Sequence, residues 1–313
     1  MRTIAPDPNF ENWVCVIGPY AKPIATVKPG EPVVLETMDA FGNKLTSESQ
    51  DLMKIVRFPY VNPVTGPIYV EGAEPGDTLT VKIEQIEITS EKGFSTIIPD
   101  FGGVCGTSWT RVLNDPLKPR IFKHLIKDGL IIWGQGLAIP KIPCEPFYGT
   151  IGTSPNLEAI TTLSPGFHGG NMDDPDVCPG NTVHLPVQVP GALFCVGDGH
   201  AVQGDAEVSG AAVEVPTRGV FTFGLMKKHP IRAPRIVNEE FIMTVGSAKP
   251  MEDAARIAFY ELVLWLEADY GIDRMAGYQL CSHVAKVRLA NMVDTLYSVS
   301  AKFPRRYLPR KRR

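Results

Sequence analysis

Glu74-Pro75-Gly76-Asp77-Thr78-Leu79-Thr80-Val81-Lys82-Ile83 is the stretch on which the fold reading turns. Pro-Gly suits the two central positions of a type II turn, because proline presets the first φ and glycine accepts the positive φ that follows. The residues after the turn alternate strand-forming apolar side chains with polar ones, the period of a half-buried strand. The same design stands at Val27-Lys28-Pro29-Gly30-Glu31-Pro32-Val33-Val34-Leu35-Glu36-Thr37. It returns at Cys178-Pro179-Gly180-Asn181-Thr182-Val183-His184-Leu185-Pro186-Val187. Three turns of one kind, each launching a strand, predict a mainly β architecture with β-sandwich or jelly-roll-like sheets. Their irregular spacing argues against a repeat protein. Outward from these turns, residues 62–73 alternate turn residues and strand formers, and residues 92–117 read as loop with short strands. Leu130-Ile131-Ile132-Trp133 is a short buried strand candidate, and residues 143–152 carry too much Pro and Gly for a helix.

The chain has 313 residues, 44% of them hydrophobic and 21% charged, an ordinary balance for a globular protein with a sizeable core. A net charge of -3 gives no reason to expect a nucleic-acid partner. The richest apolar run, Ile257 to Leu266, is broken by Glu261, so no membrane span is expected. Met1 to Asp7 lacks the apolar centre of a signal peptide. The six cysteines (Cys15, Cys105, Cys144, Cys178, Cys195 and Cys281) are scattered without a C-x-x-C pair, as in a reduced, cytoplasmic protein. We read 1–313 as a single unit with a mainly β core over 1–245, a helical C-terminal part over 246–300 and a basic tail over 304–313. Pro250 can open a helix, and Ala255, Ala258, Phe259, Leu262 and Leu266 recur at helical spacing up to Gly271. Asp273 can cap a second helix reaching about Val284, giving a helical pair near 250–285 suited to a lid or a subunit contact. The five arginines and one lysine of the last ten residues read as a solvated tail.

Chemistry concentrates in Gly197-Asp198-Gly199-His200-Ala201-Val202-Gln203-Gly204-Asp205-Ala206-Glu207-Val208-Ser209-Gly210, a run held between the apolar segments 191–196 and 211–215, both strand candidates. In an extended segment Asp198 and His200 point to the same side. Carboxylate oxygens with an imidazole nitrogen suit Zn²⁺ or a similar divalent ion, and glycine lets the backbone pass close to an ion. The competing reading is a polar turn whose side chains only hydrogen-bond to one another. A second glycine-rich loop, Pro165-Gly166-Phe167-His168-Gly169-Gly170-Asn171-Met172-Asp173-Asp174, adds an imidazole, an amide and two carboxylates.

Taken together, these loops resemble the acetamidase/formamidase family of amide hydrolases. The resemblance runs in order over about residues 25–300. It rests on Glu36-Thr37-Met38-Asp39, the 62–77 segment Asn62-Pro63-Val64-Thr65-Gly66-Pro67 onward, Phe147-Tyr148-Gly149-Thr150-Ile151-Gly152, Gly169-Gly170-Asn171-Met172-Asp173 and the whole of 185–210. It implies a largely β fold with a helical C-terminal part, hydrolysis of a short amide to ammonia and a carboxylate, a bound divalent metal such as zinc (calcium or another divalent ion being the alternative), and a homo-oligomer, dimer or higher. Two positions depart from the family pattern: Ala206 stands where glycine is usual, and Lys286 where a small residue is common.

On this reading Asp198 and His200 are metal ligands, with Asp39 and Asp173 as candidates to complete the set. Glu207 is the general base and then general acid. Asn171 donates to the developing oxyanion with help from the Gly169 and Gly170 amides, and His168 orients the substrate. A thiol mechanism through Cys144 or Cys195 is the less favoured route, since Cys195 sits in an apolar run, and a G-x-S-x-G elbow is absent. Two alternatives stay open: a metal-binding homologue without turnover, and a hydrolase of a bulkier amide.

Overall fold

All three Pro-Gly turns have the expected geometry in the computed structural model, which describes residues 1–6, 15–105, 117–134 and 136–309. Gly30, Gly76 and Gly180 have φ of 85°, 91° and 90°. Each turn closes with the i+3 amide on the first carbonyl, at 3.3 Å (Glu31 to Lys28), 3.0 Å (Asp77 to Glu74) and 3.2 Å (Asn181 to Cys178). The strands they launch, Pro32–Thr37, Thr78–Ile88 and Thr182–Pro186, enter one nine-stranded sheet. Its order is Arg2–Ile4, Pro32–Thr37, Thr217–Met226, Thr78–Ile88, Thr182–Pro186, Arg235–Val237, Phe241–Ala248, Tyr297–Pro304, Lys286–Asn291. Only the first pair is parallel.

The long strand Thr78–Ile88 shows how pattern becomes packing. Leu79, Val81 and Ile83 point inward at period two and are fully buried. Phe221 then pairs with Ile83 and Val220 with Gln85, so Glu84 bulges out of the ladder and the next buried residue is Ile86. The inward row meets a five-stranded sheet ordered Gly169–Asn171, Phe147–Gly152, Phe194–His200, Val64–Val70, Ala25–Val27. Between the two sheets, Leu35, Leu79, Phe221 and Phe223 from one pack with Ile68, Tyr148, Ile151 and Phe194 from the other. Burying each such aliphatic or aromatic side chain contributes about 1.5–3 kcal/mol. This is the expected sandwich. A four-stranded sheet ordered Ile142–Pro143, Leu130–Ile132, Arg120–Lys127, Lys92–Ile97 adds a smaller core of Ile126, Ile131, Ala201, Val213 and Val215. Of the 92–117 reading, residues 106–116 lie outside the described residues.

The helical pair near 250–285 is Met251–Tyr270 and Arg274–Val284. Pro250 precedes the first helix and Gly271, with φ 64°, ends it. The Asp273 side chain caps the second by accepting from the amides of Met275 and Ala276. Ala258, Leu262 and Leu266 pack on Ile242, Ala301 and Phe303 of the large sheet. Gly246 makes this close approach possible, since a Cβ there would lie 2.6 Å from the Ala258 amide nitrogen. The helical part is narrower than the 246–300 drawn from sequence. The chain returns to strand at 286–291 and 297–304, and both strands extend the sheet of the β core. The basic tail also begins later than 304: Pro304 still pairs with Phe241, and Arg305 donates to the Asn238 carbonyl at 2.6 Å. Arg310–Arg313 lie outside the described residues. Among the described residues no helix is long and apolar enough to cross a membrane.

Candidate functional site

The strand Phe194–His200 ends at the site and carries Asp198 and His200 into it. It runs on through the expected loop as far as His200, because residues 195–200 pair with Phe147–Gly152. The 211–215 segment, expected as a strand, makes only isolated bridges at Glu214. Asp198 adopts φ 56°, the left-handed region, which turns its carboxylate beside the His200 ring: Asp198 Oδ1 lies 3.3 Å from His200 Nε2. Gly149, on the neighbouring strand, forms the floor. A Cβ there would sit 2.9 Å from His200 Cε1 and closer still to Asp198 Oδ2 and Asp173 Oδ1. Gly149→Ala is therefore expected to displace both carboxylates, costing about 1–3 kcal/mol of stability and at least tenfold in divalent-ion affinity. Thermal melting and calorimetric Zn²⁺ titration measure the two effects.

Asp173 comes from the turn after the short strand Gly169–Asn171. Two amides hold it. Asp173 Oδ2 accepts from Asn171 Nδ2 and Asn291 Nδ2, both at 3.1 Å. The same two amides donate to Asp294 Oδ2, at 2.9 and 3.1 Å. Asn171 Oδ1 in turn accepts from Thr150 Oγ1 and from Asn62 Nδ2, the latter at 3.2 Å, and Asn62 Nδ2 also donates to Asp198 Oδ2 at 3.1 Å. One oxygen of each carboxylate is thus fixed, while Asp173 Oδ1 is buried without a partner.

Glu207 and Glu214 complete the cluster. The turn Asp205–Glu207 is kinked, with φ of 76° at Ala206 and 47° at Glu207. The left-handed region is strained for alanine by about 1–2 kcal/mol. The Ala206 carbonyl is held by the Met292 amide at 3.1 Å. Glu214 Oε1 accepts from the Ala212 amide at 2.9 Å, and Oε2 lies 3.3 Å from His200 Nε2. Neither carboxylate approach to Nε2 has hydrogen-bond geometry, and both imidazole nitrogens and Glu214 Oε2 are buried without partners.

Five buried carboxyls and one imidazole therefore converge, and among the described residues no lysine or arginine pairs with any of the five. Burial pushes the Asp173 carboxyl well above the usual range, and Asp294 and Asp198 add to it. Burial does the same to Glu207, with Asp173 the next cause, and to Asp294, with Glu207. Burial raises Glu214 to about 7. At His200 burial opposes the charge, but Glu214 and Asp198 outweigh it and raise the imidazole well above its ordinary value. Isolated buried charges are too costly to persist unpaired. A divalent cation resolves the conflict, and the donors fit one. Two groups, Asp173/Asp198/His200 and His200/Glu207/Glu214, each offer ligand atoms within 4.8 Å of one another. Hard carboxylate oxygens with one imidazole nitrogen form a donor set for Zn²⁺ or a comparable divalent ion.

Beside the cluster lies a cavity of about 40 Å³. Asn62, Asn171, Asp198, Glu207, Glu214 and Asp294 form its polar floor, and Phe41, Val61, Leu163, Phe58 and Phe101 are among its apolar walls.

Asp198, His200, Asp173 and Glu207 are brought together as expected from sequence. Asp39 is buried in the turn after the strand Pro32–Thr37. It belongs to neither ligand group, and its Oδ1 accepts from the amides of Phe41 and Asn43 at 2.9 and 2.6 Å, so it shapes the 39–43 turn. Burial raises its carboxyl to about 6. The Asn171 amide hydrogens, assigned to an oxyanion, are both directed at Asp173 and Asp294. His168 is buried against Phe167 and the loop glycines, its imidazole pushed down to about 4 by burial, and it lies outside both ligand groups. Lys286 is exposed at the start of its strand, 5.5 Å over the Phe241 ring, and does not line the cavity. Glu214, Asp294, Asn291, Asn62 and Thr150 were missed. Glu214 had a visible signal, a carboxylate inside the apolar run 211–215. Asp294 and Asn291 had none, since they reach the site only through pairing of the last strands.

A β-sandwich with a buried, carboxylate-rich centre of this kind offers candidate ligands for a divalent ion. The chain belongs to the acetamidase/formamidase family, whose family model matches residues 17–159 and 100–304. It is 28% identical over 231 residues to a formamidase of Methylophilus methylotrophus, covering 59% of this chain and 57% of that protein. The chain spans less than two thirds of the length of the curated relatives it matches. Its fold is similar to the crystal structure of an acetamidase from Yersinia enterocolitica, with a TM-score of 0.91 and 38% identity over 98% of this chain and 93% of that one. It is also similar to an acetamidase from Bacillus halodurans, with a TM-score of 0.88 and 31% identity over 97% of this chain and 98% of that one.

Proposed function

We propose that the chain hydrolyses the C–N bond of a short-chain amide, formamide- or acetamide-like, to a carboxylate and ammonia. The observation that carries this is the buried cluster with unpartnered atoms on Asp173, His200 and Glu214, beside a small cavity with apolar walls that Asp198, Glu207 and Glu214 line. The names of the relatives support it. Asp173, Asp198, His200 and Glu214 are the residues that would hold a divalent ion, zinc being the choice the mixed oxygen and nitrogen donors favour. Such an ion polarises a carbonyl and lowers the pKa of water. Glu207 takes the proton released when water adds to the amide carbon and returns it to the departing nitrogen. Asn171 and Asn291 keep Asp173 and Asp294 aimed at the centre, and Asn62 does the same for Asp198. The apolar walls exclude bulk water and leave room for a short acyl group, which speaks against a bulkier amide.

The six free cysteines support a reducing, cytoplasmic location. The exposed Tyr260, Met275 and Tyr278 of the helical pair support a homo-oligomer contact there.

Ammonia release from formamide, acetamide and propionamide tests the reading. The rate should fall as the acyl group grows, and a preference for propionamide would overturn it. Leu163→Ala should improve kcat/KM for propionamide over acetamide by about tenfold, since one methylene in an apolar pocket is worth about 10–200-fold.

A further inference from the structure

We propose that Arg288 is a positioning residue that sets the spacing between the two carboxylate-bearing loops of the centre; this rests on the amidase reading above. Asp173 and Glu207 belong to two different loops. Arg288, on the edge strand Lys286–Asn291, reaches both. Its Nε lies 3.1 Å from Asp205 Oδ1, on the kinked turn that ends at Glu207. Its Nη1 lies 3.2 Å from Asp176 Oδ2, on the turn that begins at Asp173, and 4.0 Å from buried Asp174 Oδ1. The planar guanidinium presents its donors in a fixed fork, so it defines a separation as well as an attraction.

Neighbouring contacts share the task without duplicating it. Gln203 Nε2 donates to the carbonyls of Asp173 and Ala290 at 2.9 and 3.1 Å. Lys302 pairs with Asp176. Among the described residues, only Arg288 joins Asp205 to the 174–176 turn. The Asp205 side chain is 61% exposed, so the pair adds little to stability. A shift of about 1 Å in catalytic geometry, by contrast, can cost about 10²-fold in rate. The effect should therefore appear in the chemistry rather than in the fold.

Arg288→Gln should lower kcat on acetamide by about 10–100-fold with KM changed less than threefold, weaken Zn²⁺ binding by about tenfold, and leave the melting temperature within about 3 °C of wild type. Arg288→Lys should recover part of the loss, because an ammonium can meet one carboxylate but not both at fixed spacing. Asp205→Asn removes one arm and should act in the same direction. Combined with Arg288→Gln, it should add little, giving a clear coupling in a double-mutant cycle. The proposal is overturned if Arg288→Gln keeps kcat and Zn²⁺ affinity within twofold, or if the two losses multiply. It also fails if melting falls with activity and the lysine variant restores neither. A wild-type protein that binds Zn²⁺ but releases ammonia from no amide would sink the amidase reading, and the Zn²⁺ titrations of wild type and Arg288→Gln would still decide on Arg288.

Discussion

Replacing His200 with alanine should lower ammonia release by at least about 10³-fold and leave a protein that no longer retains a divalent ion through dialysis. His200 is the only nitrogen ligand of the cluster and belongs to both ligand groups, so one substitution removes a donor from each. Loss of groups that only orient a ligand typically costs about 10–100-fold in metal affinity, and loss of a ligand itself should cost more. The fold should survive, because the ring packs edge-on against Phe147 at 4.9 Å but forms no hydrogen bond that holds the sheet. Chelation of the wild-type protein should mimic the substitution. Ammonia release that continues at the same rate after elemental analysis shows the ion to be gone would end the metal reading.

The second large effect is expected at Glu207. Glu207→Gln keeps the size and shape of the side chain and removes its capacity to take a proton. General acid–base catalysis contributes about 10²–10⁴-fold, and a loss of about 10³-fold in kcat is expected, with bound ion retained. Glu207 is preferred to Glu214 for this role on geometry. Glu214 has one oxygen engaged by the Ala212 amide and the other facing His200, which is the posture of a ligand. Both line the cavity, but among the described residues no hydrogen bond engages the Glu207 carboxyl. Glu214→Gln should accordingly weaken ion binding, whereas Glu207→Gln should spare it. Full activity in Glu207→Gln would move the base elsewhere, and loss of the ion in that variant would make Glu207 a ligand instead.

Much of the architecture was legible because turn chemistry and side-chain period agree locally. Pro-Gly pairs announced three strands of the large sheet, and Pro250, Gly271 and Asp273 announced both helix boundaries. The 286–304 strands were obscured because Lys286, Val287 and Arg288 show no alternation of burial on this edge strand. Asp198 and His200 were legible as a pair because one strand places them two residues apart. Asn171 was seen as a site residue but given a different task, since the direction of its amide hydrogens depends on Asp294, more than a hundred residues away. Asp39 looked like a ligand because a carboxylate at a strand end serves either purpose, and the amides of Phe41 and Asn43 settle its Oδ1.

The Asn291 and Asp294 side chains enter the cluster from the far end of the sequence, held there by a strand that pairs with Tyr297–Pro304. During synthesis, then, the residues up to Ala248 can supply seven of the nine strands of the large sheet while the centre still lacks its second amide clamp. A growing polypeptide on the ribosome should capture no ion tightly, and show no turnover, until that final hairpin has emerged and docked.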